Sequence, residues 1–236
     1  MTVEVSPSLT VDSILVAAHD LKAPLCLARQ LALSLGISKN PVDDQRIKSQ
    51  LVSVSERALR QVDDLTKIAR LEDGLFAMGP VSVRGVCDAV YRELDPLFRY
   101  EQRRLRLTYA NRSRLAIANR ELLHRVIYNF CTNALHYSTL ETESELSVVD
   151  HRDFIRIGVR DFGPALPTHV WRELKSGGLT RPTRIAMRPG SSGLGLYIAS
   201  EFARYMHAEL GAIRHRDGTS FFVDLPVSQQ ASLFGV

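Results

Sequence analysis

The stretch Asn129-Phe130-Cys131-Thr132-Asn133-Ala134 places two asparagines four residues apart within a strong helical pattern that runs from 121 to 137. Residues four apart lie on one face of a helix. The buried side of the same helix is supplied by apolar residues, namely Leu122, Leu123, Val126, Ile127 and Phe130. Amides offer oxygens to a hard cation and N–H donors to phosphate oxygens. The pattern therefore indicates either a polar solvent face or a site for a metal-bound phosphate group.

The segments around this helix alternate between strand and helix patterns from residue 80 onwards. The strand candidates are short apolar or alternating runs: 81–83, 105–109, 115–118, 146–149, 154–159, 210–213 and 221–225. Helical patterns occupy 86–98, 121–137 and 194–206. This order predicts an α+β fold in which a layer of helices covers a mixed sheet.

A carboxylate follows one of the predicted strands, in Arg160-Asp161-Phe162-Gly163-Pro164. Such a carboxylate could accept the amino hydrogens of adenine, which guanine does not present at that edge. Aspartate and glycine are also common in simple turns. Both interpretations stay open at this point.

A second glycine segment, Gly190-Ser191-Ser192-Gly193-Leu194-Gly195-Leu196, opens a predicted helix. Glycines allow backbone N–H groups to approach phosphates, and a helix N-terminus favours anions. The segment is not a G-x-x-x-x-G-K-[ST] loop. The preceding residues, 175–192, predict a mobile loop, whose arginines are either solvated or in contact with a triphosphate: Arg181, Arg184 and Arg188.

The N-terminal part of the chain carries two long amphipathic helical patterns, separated by Gly36 and Asn40-Pro41. Such a pair predicts an antiparallel hairpin with too little core to stand alone. We therefore expect a homodimer through residues 8–75, in which two hairpins form a four-helix bundle. His19 falls roughly 150° from the apolar stripe of the first helix and should face solvent. It is either an ordinary surface histidine or a nucleophile that Asp20 holds or deprotonates.

Composition sets the broad class of this 236-residue chain. It is 45% hydrophobic and 24% charged, which is ordinary for a globular protein. The formal net charge of +4 is too small to indicate nucleic-acid binding. Three widely spaced cysteines form neither a disulfide framework nor a zinc site. No apolar run is long enough to span a bilayer, so we expect a cytoplasmic protein without membrane contact from this sequence.

Taken together and in this order, the motifs resemble those of the sensor histidine kinases of two-component signalling. The resemblance spans about residues 10 to 226. His19 to Leu25 is similar to the H box of that family, and Asn129 to Ala134 to its N box. Asp161 to Gly163 is similar to the first glycine box, and Gly193 to Leu196 to the second.

The resemblance implies a helical hairpin, which forms a four-helix bundle as a dimer, followed by an α/β-sandwich ATP-binding domain of the Hsp90 and gyrase kind. We assign 1–79 to the hairpin, 80–228 to the catalytic domain and 229–236 to a tail. The implied activity is autophosphorylation of His19 from Mg-ATP, followed by transfer to an aspartate of a response regulator.

The resemblance also implies a role for each matched residue. His19 would accept the phosphate, with Asp20 as its acid/base neighbour. Asn133 would ligate Mg²⁺ and Asn129 would contact phosphate. Asp161 would hold adenine. The remaining nucleotide-binding positions are the glycine-box residues Gly163, Gly193, Leu194 and Gly195.

The sequence departs from the family pattern at three places. Ala165 and Ser191 stand where glycines are usual, and Ala23 stands where the family often has Thr or Asn linked to phosphatase activity. A methyl group cannot orient water for hydrolysis, so we expect a kinase with weak phosphatase activity. One alternative is a degenerate nucleotide-binding scaffold or phosphotransfer protein with little kinase activity. Another is an ATPase that acts as a conformational clamp and has no need of His19.

Overall fold

A computed structural model describes residues 11–37, 41–110, 114–139, 142–179, 181–183 and 193–229. The side chains of residues 11–14, 20 and 41 lie outside the described part. The chain divides into two compact units, Met1–Asp73 and Gly74–Val236. The predicted domain boundary at residues 79 and 80 stays a prediction.

The first unit contains two long helices, α1 (Val11–Ser34) and α2 (Pro41–Ala69), which pack against each other. Gly36 follows α1 and adopts a left-handed φ of +76°. Glycine tolerates this conformation at the end of a helix because it has no Cβ that would clash. Its N–H donates to Asp44 Oδ1 at 3.0 Å, so the first turn of α2 fixes the connection. A short connection between two packed helices gives the predicted hairpin.

The hairpin leaves large apolar side chains of both helices in solvent. Their exposed fractions include 63% for Leu15, 60% for Leu25 and 68% for Leu59. A single copy of the hairpin therefore does not bury its own apolar surface.

The second unit begins with β1 (Gly79–Ser82) and α3 (Val83–Tyr100). The sequence predicted a strand over 81–83, but Val83 already belongs to the helix. The reason is a cap: Ser82 Oγ accepts from Gly85 N at 3.2 Å and so starts α3. β1 pairs antiparallel with β3 (Leu115–Ala118) in a small separate sheet.

The main sheet has five strands in the order β2-β4-β5-β7-β6. Their bounds are β2 Arg104–Tyr109, β4 Glu143–Asp150, β5 Phe154–Asp161, β6 Glu209–His215 and β7 Gly218–Pro226. β2 and β4 are parallel, and the other neighbours are antiparallel. The sheet is therefore mixed, and the predicted α+β class is confirmed.

Among the described residues, four helices contact this sheet: α3, α4 (Arg120–Tyr137), α5 (Thr168–Lys175) and α6 (Leu194–Tyr205). The core between the layers is aromatic and aliphatic. Phe130 of α4 stacks on Phe221 of β7 with ring centroids 5.8 Å apart, and Phe202 of α6 is fully buried. This packing fixes α4 and α6 on the sheet, and with them the residues at their exposed edges.

The sequence did not predict α5 (Thr168–Lys175). Only Val170 and Leu174 of this helix are buried, so its apolar pattern is too short to recognise. Trp171 Nε1 donates to the Ala212 carbonyl at 2.9 Å, which attaches α5 to the edge strand β6. Among the described residues, no helix has both the length and the apolar character needed to cross a membrane.

Candidate functional site

The helix α4 carries the two predicted amides. Its start is fixed by Asn119, whose Oδ1 accepts from Glu121 N at 3.0 Å and Leu122 N at 3.1 Å. Asn119 Nδ2 donates to the Ala77 carbonyl at 3.0 Å. These bonds satisfy helix N–H groups that otherwise lack partners and anchor the helix at one end.

Asn129 lies at the middle of α4 and is 9% exposed. Within the described part of the chain, its Nδ2 is buried and makes no hydrogen bond. A Cβ built on Gly195 would lie 3.8 Å from Asn129 Oδ1, so the first turn of α6 comes close to this amide. A buried amide without a partner costs free energy in the folded chain. It is therefore a candidate for contact with a ligand.

Asn133 is half-buried one turn further along the same helix face. His136 follows three residues later and is exposed. Residues 129, 133 and 136 therefore form one polar stripe along α4. His136 Nδ1 lies 2.8 Å from the Thr132 carbonyl oxygen, which can only accept. Nδ1 therefore carries the proton. Sequence reasoning missed His136, although its spacing from the two asparagines is visible there.

The acidic turn follows strand β5. Asp161 is 1% exposed, and its Oδ1 accepts from Gly163 N at 3.1 Å and Thr219 N at 3.2 Å. A Cβ on Gly163 would lie 2.4 Å from the Tyr137 carbonyl oxygen, so only glycine fits at this position. The end of α4, the end of β5 and the start of β7 therefore meet at this carboxylate.

The second glycine segment begins α6. Gly193 has a φ of +74°, and a Cβ there would lie 2.0 Å from the Thr183 carbonyl oxygen. Thr183 and Gly193 therefore touch through their backbones. Leu194 is fully buried, which leaves its backbone as the part that can contribute to a ligand site. Arg181 is exposed, whereas Arg184, Arg188 and Ser191 lie outside the described residues.

An ion pair between a buried carboxylate and a half-buried arginine lies further along α6. Glu201 is 3% exposed and pairs with Arg204, whose Nη2 donates to the Leu179 carbonyl at 3.3 Å. Ser200 Oγ accepts from Leu179 N at 3.2 Å, so both backbone groups of Leu179 are bound by α6. Burial raises the pKa of Glu201, and the charge of Arg204 partly opposes this shift.

His19 lies in α1 of the other unit and is exposed, as its helical position predicts. Ala23, one turn later, is also exposed. The side chain of Asp20 lies outside the described part of the structure. In the second unit, the structure brings Asn129 close to Gly195 beside the middle of α4, and it brings Asp161 and Gly163 close to the C-terminal end of the same helix.

Comparison with known proteins relates the chain to histidine kinases, both by a family model and by a relative of known name. Residues 118–229 match the family described as histidine kinase-, DNA gyrase B- and HSP90-like ATPase. Histidine protein kinase SaeS of Staphylococcus aureus strain Newman is 27% identical over 220 residues. That alignment covers 88% of this chain and 61% of SaeS, so the chain spans less than two thirds of the length of the curated relative.

Two solved structures share the fold. Histidine kinase AdeS of Acinetobacter baumannii has a TM-score of 0.65 at 15% identity, with 89% of this chain and 98% of that chain covered. Histidine kinase ThkA, in complex with the response regulator protein TrrA, has a TM-score of 0.60 at 16% identity. Here the match covers 89% of this chain and 60% of that chain.

The resemblance predicted from the four motifs is thereby confirmed. Residues 118–229 match the model of the histidine kinase-, DNA gyrase B- and HSP90-like ATPases, and a helical hairpin precedes them in the chain, so the chain is similar to histidine kinases over most of its length.

Proposed function

We propose that this chain is a histidine kinase core that binds Mg-ATP and transfers the γ-phosphoryl group to His19. The observation that carries the proposal is the buried Nδ2 of Asn129, a donor beside the glycine start of α6 for which the described residues provide no hydrogen-bond acceptor. An anion placed there would accept from this amide and meet the N-terminal end of a helix, which favours negative charge.

The acidic turn would supply the other end of the nucleotide site. Its Asp161 carboxylate, held by two backbone N–H groups, would accept from the exocyclic amine of adenine. The close approach of Gly163 to Tyr137 fixes the turn against the same helix that carries the amides. One rigid element, α4, would therefore set the distance between the base and the phosphates.

The residues present also fit a bound Mg²⁺ ion. The half-buried Asn133 would provide an amide oxygen, a ligand type that Mg²⁺ accepts while the phosphates and waters complete its shell. Bound in this way, Mg²⁺ would neutralise charge on the phosphates. His136, which continues the stripe, would lie near the same phosphates.

The acceptor would be the exposed imidazole of His19. A ring nitrogen attacks the γ-phosphorus in line, a P–N bond forms, and the P–O bond to ADP breaks. Asp20 would take the ring proton. The phosphoramidate would then pass its phosphoryl group to an aspartate of a response regulator, and Ala23 would leave the hydrolysis of that aspartyl phosphate by water slow.

The exposed leucines and valines of the hairpin support a homodimer through residues 8–75. A second copy packed on them would complete a four-helix bundle and remove that apolar surface from water.

The test is incubation with γ-labelled Mg-ATP. The unmodified chain should take up label that is stable in alkali and lost in acid, and His19→Gln should take up none. His169→Gln is the matched control, because His169 is also exposed on a helix but lies outside the motifs. Nucleotide binding without label would favour the scaffold alternative. Steady ATP hydrolysis unaffected by His19→Gln would favour the clamp alternative.

A further inference from the structure

The residue Ser138 links the amide helix to the acidic turn. It follows the last residue of α4, and its N–H donates to the Ala134 carbonyl at 3.0 Å. Its side chain is buried, and Oγ accepts from Phe162 N at 3.1 Å. Phe162 is the middle residue of the turn between Asp161 and Gly163. The motifs identified in the sequence do not include Ser138.

A second buried hydroxyl supports the first. Ser144 of β4 is 1% exposed, and its Oγ lies 3.1 Å from Ser138 Oγ. The Ser138 oxygen can accept from Phe162 while the two hydroxyls share one further hydrogen bond. The Ser144 hydroxyl on the sheet therefore helps to orient the Ser138 side chain. Ser138 cannot rotate away from the turn without losing its bond to Ser144.

The turn is therefore restrained at each of its residues. Asp161 receives two backbone N–H groups, Phe162 donates to Ser138, and Gly163 lies against the Tyr137 carbonyl. Two of these restraints come from adjacent residues at the end of α4. A shift of the turn relative to α4 requires loss of the Ser138 bond.

We infer that Ser138 is a positioning residue for base selection: it holds the acidic turn at the distance from the amide helix that suits an adenine nucleotide. This inference rests on the proposed function of the site. A carboxylate favours the exocyclic amine of adenine and repels the carbonyl that guanine presents there, but only when its position is fixed. Loss of Ser138 should therefore reduce discrimination more than it reduces binding of nucleotides in general.

The experiment measures the dissociation constants of Mg-ATP and Mg-GTP for the full chain and for Ser138→Ala. The expected result is that the preference for ATP over GTP falls about tenfold, which equals about 1.4 kcal/mol and is close to the net value of one hydrogen bond, because the displaced carboxylate no longer accepts well from adenine. GTP affinity should change less than about twofold, because it does not use the carboxylate.

Matched variants separate positioning from stability. Ser144→Ala removes the neighbouring hydroxyl but leaves the acceptor of Phe162 N–H in place, so the ATP preference should stay within about twofold of the original. Ser138→Thr keeps the hydroxyl and should restore the preference. Ser138→Cys, whose thiol is a weak acceptor, serves if the alanine variant does not fold and should also lower the preference.

The inference is overturned if Ser138→Ala and Ser138→Cys lower the unfolding temperature but keep the ATP preference of the unmodified chain, or if that chain does not distinguish the two nucleotides. Failure of the unmodified chain to bind either nucleotide would instead contradict the proposed function.

Discussion

Replacement of Asn129 by leucine should make the nucleotide-free chain more stable and abolish its response to ATP. The buried Nδ2 of Asn129 makes no hydrogen bond to any residue that the structure describes, and such a donor costs about 1–3 kcal/mol in the folded state. Leucine has a similar shape and no polar atom. We expect Asn129→Leu to raise the free energy of unfolding by about 1–2 kcal/mol, or the unfolding temperature by about 2–8 °C.

The control for this variant is Asn119→Leu, the same change at the start of the same helix. Both polar atoms of the Asn119 amide make hydrogen bonds: Oδ1 caps α4, and Nδ2 donates to the Ala77 carbonyl. Its loss should lower the free energy of unfolding by about 1–3 kcal/mol. The two substitutions are therefore expected to have opposite signs.

Thermal unfolding with and without Mg-ATP measures both effects. A ligand at one hundred times its dissociation constant stabilises the folded state by about 2.7 kcal/mol. The unmodified chain should show such a shift, and Asn129→Leu should lose most of it. A lower unfolding temperature for nucleotide-free Asn129→Leu, or a full ATP shift in that variant, would refute the reasoning.

Two further predictions concern α6. Gly193→Ala should lower the free energy of unfolding by more than about 2 kcal/mol, because the left-handed φ is strained and the new Cβ meets the Thr183 carbonyl. Gly74→Ala, with a similar φ and open space around it, should lose less in the same chemical denaturation experiment; equal losses would mean that the Thr183 contact is unimportant. Glu201 has a pKa raised by burial, so its contribution to stability is fully present below about pH 4.5 and is lost as pH rises through the folded-state value. Denaturation curves from pH 4.5 upwards should therefore show the stability of the unmodified chain falling relative to that of Glu201→Gln, and a constant difference would contradict the assignment.

The sequence predicted the elements with long periodic patterns and missed those fixed by a few tertiary contacts. The hairpin, the amide helix and the mixed sheet follow from repeated apolar positions. By contrast, α5 buries only two side chains and is attached by Trp171 to an edge strand. Strand pairing across the chain is not encoded locally, so the contact of Trp171 with Ala212 could not be foreseen.

The same distinction holds for the candidate site. The amides, the acidic turn and the glycines were visible as motifs, because their residue types and spacing suggest phosphate and base contacts. Ser138 was not, because a serine after a helix is common and its partner Phe162 N–H lies 24 residues away in sequence. The close approach of α6 to the Asn129 side chain is likewise a tertiary feature, which no local pattern reveals.

The backbone contact between Thr183 and Gly193 brings these two positions, ten residues apart in the chain, close together in space. The cost of closing a loop rises only by about 0.6 kcal/mol when its length doubles. A peptide tag or a small reporter domain whose termini are close together could therefore be spliced between these two residues while the sheet and its helices stay assembled. Such a fusion would place a fluorescent label beside the start of α6 without altering any residue of the core.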